Sequence, residues 1–241
     1  MTTEPTTTEP TAVEPMTVEP MTIEVVLATH NAKKLAELRR LVAAAGLEVV
    51  VLGLSDLPAY DEPAETETTF EGNALIKARV ALARTGRVAL ADDSGIVVDR
   101  LNGMPGVRSA RWAGSGASDA DNNELLLRQL DDVPDPDRTA RFVCAMALVT
   151  PDGQEVVRHG LVEGRLLRGL RGENGFGYDP LFVPDGYQQT TAELDPAAKD
   201  AISHRGRAVR TILLDLQSWL ADQAGADRAG KDQTGEGEQT Q

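Results

Sequence analysis

Two adjacent carboxylates, Asp92 and Asp93, follow the apolar run Val88-Ala-Leu-Ala91 and lead into Ser94-Gly95. Neighbouring side chains on an extended chain point to opposite faces, so one carboxylate can enter a buried hydrogen-bond network while the other meets a cleft. Taking a carboxylate out of water costs free energy that a cation or a donor must offset. Carboxylate oxygens at the end of a strand suit Mg²⁺, a hard cation. Asp-Ser-Gly is also ordinary turn chemistry, which leaves a plain turn as the other reading.

A second group is Thr29-His30-Asn31-Ala32-Lys33-Lys34, between a short apolar run and a helical pattern. A helix N-terminus presents unpaired N–H groups and partial positive charge, and with two lysines beside it a phosphate could be held there. The two-glycine pattern of a P-loop is absent, so a capped helix with solvated lysines competes with that reading. A third group is Gly175-Phe176-Gly177-Tyr178-Asp179, followed by Lys199 and by Ser203-His204-Arg205. Glycines beside aromatics let a flat base approach the backbone and stack, and a His-Arg pair supplies donors for carbonyl or phosphate oxygens. Phe176 and Tyr178 could equally belong to the core.

These groups need elements to hold them. Residues 23–28 form an apolar strand, and Leu35, Leu38, Leu41, Val42 and Ala45 recur at helical spacing over 31–45. The capping-box pattern Thr68-Thr-Phe-Glu71 predicts a helix running to Arg84, and Ser118-Asp-Ala-Asp121 predicts another through Leu130. Strands are predicted at 88–92 and 96–98, and a hairpin at 141–150 and 155–161 around Pro151-Asp-Gly153. A last helix over 207–221 aligns Val209, Ile212, Leu213, Leu216, Trp219 and Leu220. Interleaved strands and helices of this kind make an α/β domain with a mixed sheet.

The 241 residues carry 24 Lys+Arg against 38 Asp+Glu, a net charge of −14. That field repels phosphate backbones and anionic lipids, which argues against a nucleic-acid or membrane-surface binder. Residues 1–22, a near-repeat of Thr, Glu and Pro, and residues 222–241, without periodicity, are expected to be disordered tails around a domain at 23–221. The N-terminal stretch lacks the basic start and apolar run of a signal peptide, and the single Cys144 sits in an apolar run as a small hydrophobe. A cytoplasmic protein is the expectation.

Taken in order, VLATHNAKKLAEL, TTFEGNALIKARVAL, LADDSGIVVDRLNGMPGVRSARWAG, GFGYDPLFV and AELDPAAKDAISHRGRA resemble the Ham1/RdgB family over residues 23–220. The resemblance implies an elongated mixed β-sheet with flanking helices, two lobes around a central nucleotide-binding cleft, and a homodimer. It implies Mg²⁺-dependent hydrolysis of noncanonical purine nucleoside triphosphates (ITP, dITP, XTP) to the monophosphate and pyrophosphate. By motif, Thr29 to Lys34 would grip the triphosphate, and Lys77 would face the phosphates. Asp93 would bind metal and accept the proton of the attacking water, with Asp92 and Glu65 as further metal positions and Ser94 as a substrate contact. Phe176, Gly177, Tyr178, Asp179, Lys199, His204 and Arg205 would hold base and sugar. Arg205 or His204 aimed at a 6-oxo group would leave donors unpaired against ATP.

Two positions depart from the family's pattern: Glu67 stands where a glycine is usual, and Gly72 where a glutamate is frequent. A nucleotide-binding regulator without turnover, or a house-cleaning pyrophosphatase for modified pyrimidines, are the alternative functions. Segments without apolar periodicity bury little surface. Deleting 1–22 together with 226–241 is therefore expected to leave turnover and melting temperature unchanged, and a fall of more than about 3 °C would reveal a docked tail.

Overall fold

The computed structural model describes residues 23–234, with side chains through residue 225. In chain order the elements are β1 (Ile23–Leu27), α1 (Ala32–Ala44), β2 (Val49–Gly53), α2 (Phe70–Thr85), β3 (Val88–Val98), α3 (Asp119–Gln129), β4 (Thr139–Val149), β5 (Glu155–Leu166), β6 (Phe182–Pro184), α4 (Pro196–Ile202) and α5 (His204–Thr234). The strands make one sheet in the order β2-β1-β3-β4-β5-β6. β1 is parallel to β2 and β3, and the pairs from β3 to β6 are antiparallel. This is the mixed sheet that the interleaved pattern predicts.

Three long strands of 11, 11 and 12 residues, β3, β4 and β5, set the shape. At about 3.3 Å per residue they run about 35 Å, enough to carry separate cores along their length. At the β1 end, α1 and α5 cover one face, packing on Val25, Leu27, Leu90, Met146 and Leu148. α2 covers the other face, where Ala74, Ala78 and Ala81 meet Ala89, Ala91, Ala145 and Ala147, small side chains that let helix and sheet approach closely. Towards the far end, α3 and β6 close a third core around Ile96, Leu126, Phe142 and Phe182. Two lobes thus share one sheet, and β3 passes through both.

The passage of β3 corrects the placement of the Asp doublet. The spacing predicts two strands broken at Asp-Ser-Gly, whereas the ladder is continuous, pairing Asp92 with Met146, Asp93 with Ala145, Ser94 with Cys144 and Gly95 with Val143. Gly95 is there for close approach: a Cβ would collide with the Gly106 carbonyl and the Ser109 hydroxyl. The doublet therefore lies in mid-strand.

Helix ends also shift. α2 is capped by Thr69, which accepts from Gly72 N–H at 3.1 Å, one residue beyond the Thr68–Glu71 box that the pattern predicts. The Ser118–Asp121 box forms as predicted. α5 begins at His204 and continues to Thr234, so the C-terminal tail expected from residue 222 is helical over 222–234. β2, β6 and α4 are additions to the sequence-based elements. Residues 1–22 and 235–241 lie outside the described residues.

The two departures from the family pattern meet in space. A Cβ on Gly72 would lie 2.6 Å from Cβ and Cγ of Glu67. The larger side chain at 67 is accommodated because 72 has none. Gly72→Ala is expected to lower stability by about 1 kcal/mol, overpacking outweighing the gain in helix propensity. Adding Glu67→Gly should restore it, as a denaturant double-mutant cycle would measure; a stabilised single variant would contradict this contact.

Candidate active site

Alternation along β3 separates the two aspartates. Asp92 turns to the face covered by α1 and α5, where Oδ2 accepts from Lys34 Nζ at 2.9 Å, Arg205 Nε at 3.2 Å and Ser94 Oγ at 2.9 Å. Arg205 Nη1 donates to Glu37 Oε2 at 3.2 Å. Two cations and two carboxylates are thereby balanced in a buried chain from α1 through β3 to α5. Burial pushes the proton affinity of Asp92 up, but Lys34 and Arg205 outweigh it and hold the carboxyl well below the usual carboxylate range.

Asp93 turns to α2. Its Oδ2 accepts from Asn73 Nδ2 at 3.1 Å, and its Oδ1 lies 3.6 Å from Lys77 Nζ. Lys77 Nζ also donates to Glu65 Oε1 at 3.1 Å, and Glu65 Oε2 accepts from Arg111 Nη1 at 2.6 Å. Burial raises the proton affinity of Asp93, Lys77 and the Asn73 amide oppose this, and the neighbouring Glu65 adds to it, leaving the carboxyl above its ordinary value. For Glu65 the balance reverses: burial is outweighed by Lys77 and Arg111, and the carboxyl is held low. Lys77 keeps its charge because Asp93, Asp92 and Glu65 outweigh its burial. Asp93 and Glu65 share one ammonium, so a divalent cation displacing Lys77 would find hard oxygen donors from both. Among the described residues no group of three or more acidic, His or Cys side chains is gathered to hold a metal. Asp92, one of the three predicted metal positions, turns to the opposite face and is bonded to Lys34 and Arg205.

Between the lobes lies a cavity of about 600 Å³. Asn31, Lys33, Lys34, Ser94, Phe176, Gly177, Tyr178, Asp179, Lys199, His204 and Arg205 all line it, bringing together groups spread over 175 positions of sequence. Lys199 Nζ and the Arg205 guanidinium stand 4.9 and 5.4 Å from the Phe176 ring centre. The loop around Phe176 is fixed by Asp179, whose Oδ2 accepts from Phe176 N–H at 2.8 Å and from Lys199, while Thr191 Oγ1 donates to Oδ1 at 2.8 Å. His204 stacks on Phe142 at 4.8 Å, and burial keeps its imidazole neutral, well below its ordinary pKa. An aromatic ring with two cations at its edge, beside the lysines of α1, puts a flat apolar surface and positive charge in one cavity.

Residues 25–214 match the model of the Ham1 family. The chain belongs to the Ham1 family. It is 60% identical over 199 residues to a dITP/XTP pyrophosphatase of Nocardia farcinica, covering 82% of this chain and 96% of that one. Its fold is similar to a solved HAM1 protein from Coxiella burnetii, with 43% identity, a TM-score of 0.74, and 81% and 99% of the two chains covered. A solved dITP/XTP pyrophosphatase from Mycobacterium abscessus is 53% identical, with a TM-score of 0.67 over 79% and 99%.

Several predicted positions of this Ham1 chain have other engagements. The Asn31 side chain caps α1, accepting from Lys33 N–H at 2.9 Å and Lys34 N–H at 3.3 Å, so the chain itself satisfies the amides offered to a phosphate. Thr29 Oγ1 accepts from Asn31 N–H, and His30 turns outward to Glu62. Thr29, His30, Ala32, Lys77, Asp93 and Glu65 are outside the cavity lining. Lys33 Nζ crosses to the Gly175 carbonyl at 2.8 Å, joining α1 to the aromatic loop. Arg205 lies on the cavity wall, with its Nε and Nη1 bonded to Asp92 and Glu37. Missing from the sequence-based site are Asn73, Glu37 and Arg111. Lys34 and Glu37, three apart on one helix, carry the only local hint of the second.

The two aspartates should respond oppositely to amidation, measured in divalent-free buffer. Asp92 is depressed in the fold, so its ionisation stabilises the protein above the unfolded pKa of about 3.9 and the benefit is lost as pH falls below it. Asp93 is raised, so its ionisation opposes folding above that pH and the cost disappears in acid. Asp92→Asn is expected to lose about 3–5 kcal/mol at pH 7 in urea unfolding, the usual cost of breaking a buried pair. Asp93→Asn should equal or exceed wild type. Equal losses from both would contradict the separation by face.

Proposed function

We propose that this chain hydrolyses noncanonical purine nucleoside triphosphates, dITP, ITP and XTP, to the monophosphate and pyrophosphate, and so cleanses the nucleotide pool. The observation that carries the proposal is Asp93, a carboxylate of raised proton affinity next in the strand to Ser94 on the wall of a cation-rich cavity, in a chain 60% identical to a dITP/XTP pyrophosphatase. The base lies against Phe176, and the phosphates run towards Lys33, Lys34 and Lys77. Asp93 orients a water and takes its proton as oxygen adds to phosphorus; the α–β bridging P–O bond breaks, and pyrophosphate leaves with the electron pair. Lys77 and the lysines of α1 stabilise the charge gained by the leaving group.

Mg²⁺ fits the pair Asp93 and Glu65, two hard-oxygen donors now sharing Lys77, with the remaining positions left to phosphate oxygens and water. When bound, it neutralises charge on the phosphates. Among the described residues no helix is long and apolar enough to cross a membrane. We place the enzyme in the cytoplasm as a homodimer, without nucleic-acid or membrane partners.

The test is pyrophosphate release from dITP, XTP, ATP and a modified pyrimidine triphosphate with Mg²⁺. Turnover of dITP and XTP well above the other two is expected, and Asp93→Asn should cut kcat by about 10²–10⁴ while the protein stays folded. Nucleotide binding without turnover would make the chain a regulator, and near-normal turnover by folded Asp93→Asn would remove Asp93 from the chemistry.

A further inference from the structure

The Phe176–Gly177 wall of the cavity is gripped by α3, a helix that the proposed chemistry does not use. Asp119, the first residue of α3, accepts the Gly177 N–H through Oδ2 at 2.6 Å. Asn123, one turn on, donates Nδ2 to the Gly177 carbonyl at 2.9 Å and to the Asp119 carbonyl at 2.8 Å. Both backbone polar groups of Gly177 are thus tied to one helix face. Asp119 itself reaches the cavity wall beside Phe176 and Gly177.

Asn123 holds its place at a cost. It is 3% exposed, and its Oδ1 is the one buried side-chain nitrogen or oxygen without a hydrogen-bond partner among the described residues. Turning the carboxamide over would set that oxygen against two carbonyl oxygens, so the orientation is fixed by the contact with Gly177. An apolar residue of similar size would avoid the orphaned acceptor. The residue is placed for the loop rather than for the comfort of its own helix.

We infer that Asp119 and Asn123 are positioning residues for the nucleobase, setting the seat of Phe176 and Gly177 and through it base affinity, without touching the phosphates or Asp93. The inference rests on the nucleoside triphosphate reading of the cavity. Since Asp93 faces α2 across the sheet, loss of the grip should appear in KM and leave the chemical step alone.

The experiment measures kcat and KM for dITP with the full chain and with Asp119→Ala, Asp119→Asn and Asn123→Ala. Each alanine variant is expected to raise KM about tenfold, the usual scale for one hydrogen bond involving a charge or buried group, with kcat within about twofold. Asp119→Asn keeps an acceptor oxygen and should return KM to within about threefold of wild type. Asn123→Ala removes the orphaned oxygen with the donor, so its melting temperature should stay near wild type. Unchanged KM in the alanine variants overturns the inference, as does a fall in kcat at constant KM or an Asp119→Asn as impaired as Asp119→Ala. If Asn123→Ala does not fold, the two Asp119 variants decide. Absence of dITP turnover by wild type would instead sink the functional reading. Calorimetric titration with dITP then decides the inference: about tenfold weaker binding by Asp119→Ala upholds it, and equal binding overturns it.

Discussion

Asp92 is a carboxylate without water, and keeping it charged organises the molecule around it. Its Oδ2 draws Lys34 from α1, Arg205 from the first turn of α5 and Ser94 from its own strand to one point. Those two helices are the ones that cover this face of the sheet, so the charge network and the apolar core beneath them fix the same geometry. Glu37 completes the balance by holding the other side of Arg205. A buried ion network of this size adds little net stability over an apolar core, but each member becomes costly to remove. What it provides here is a rigid cavity wall, with Lys34 and Arg205 held at set positions beside Phe176.

Asp93 is the same residue type one position along, with the opposite treatment. The α2 face offers it the Asn73 amide and a lysine shared with Glu65, too little to offset burial. A carboxylate kept short of compensation is poised to accept a proton or a cation, and it destabilises the fold until it does. Functional residues commonly carry such a cost, which the surrounding structure must absorb. Neighbouring positions on one strand therefore meet opposite surroundings: Asp92 is bound into the cavity wall by two cations, and Asp93 is left on the α2 face with its carboxyl above its ordinary value.

Much of this was legible in the chain. Helical stripes located α1 and α5, the Ser118–Asp121 box located α3, and the ordered motifs brought out the groups that line the cavity. The continuity of β3 was hidden, because Asp-Ser-Gly satisfies local turn preferences and only pairing with β4, some fifty residues away, overrides them. Local pattern likewise ended the last helix at Ala221, where the apolar stripe stops, although the backbone stays helical to Thr234. Glu37 occupies a helix position next to Leu38, and its partner Arg205 lies 168 residues on, so nothing local marks it as buried. Arg205 was placed at the cavity by its motif, but its bonds to Asp92 and Glu37 were not foreseeable, since a guanidinium's partners are set by the fold. Asn73 and Arg111 escaped for the same reason: their contacts with Asp93 and Glu65 join elements whose approach no local pattern encodes.

The division between the faces of β3 is tested most directly by locating the metal. Anomalous diffraction from crystals grown with Mn²⁺ and a dITP analogue carrying an imido bridge between the α and β phosphates would place the ion. It should lie against Asp93 and Glu65 on the α2 face, with Asp92 still bonded to Lys34 and Arg205. An ion coordinated by Asp92, with Lys34 or Arg205 displaced, would contradict the assignment of the two aspartates.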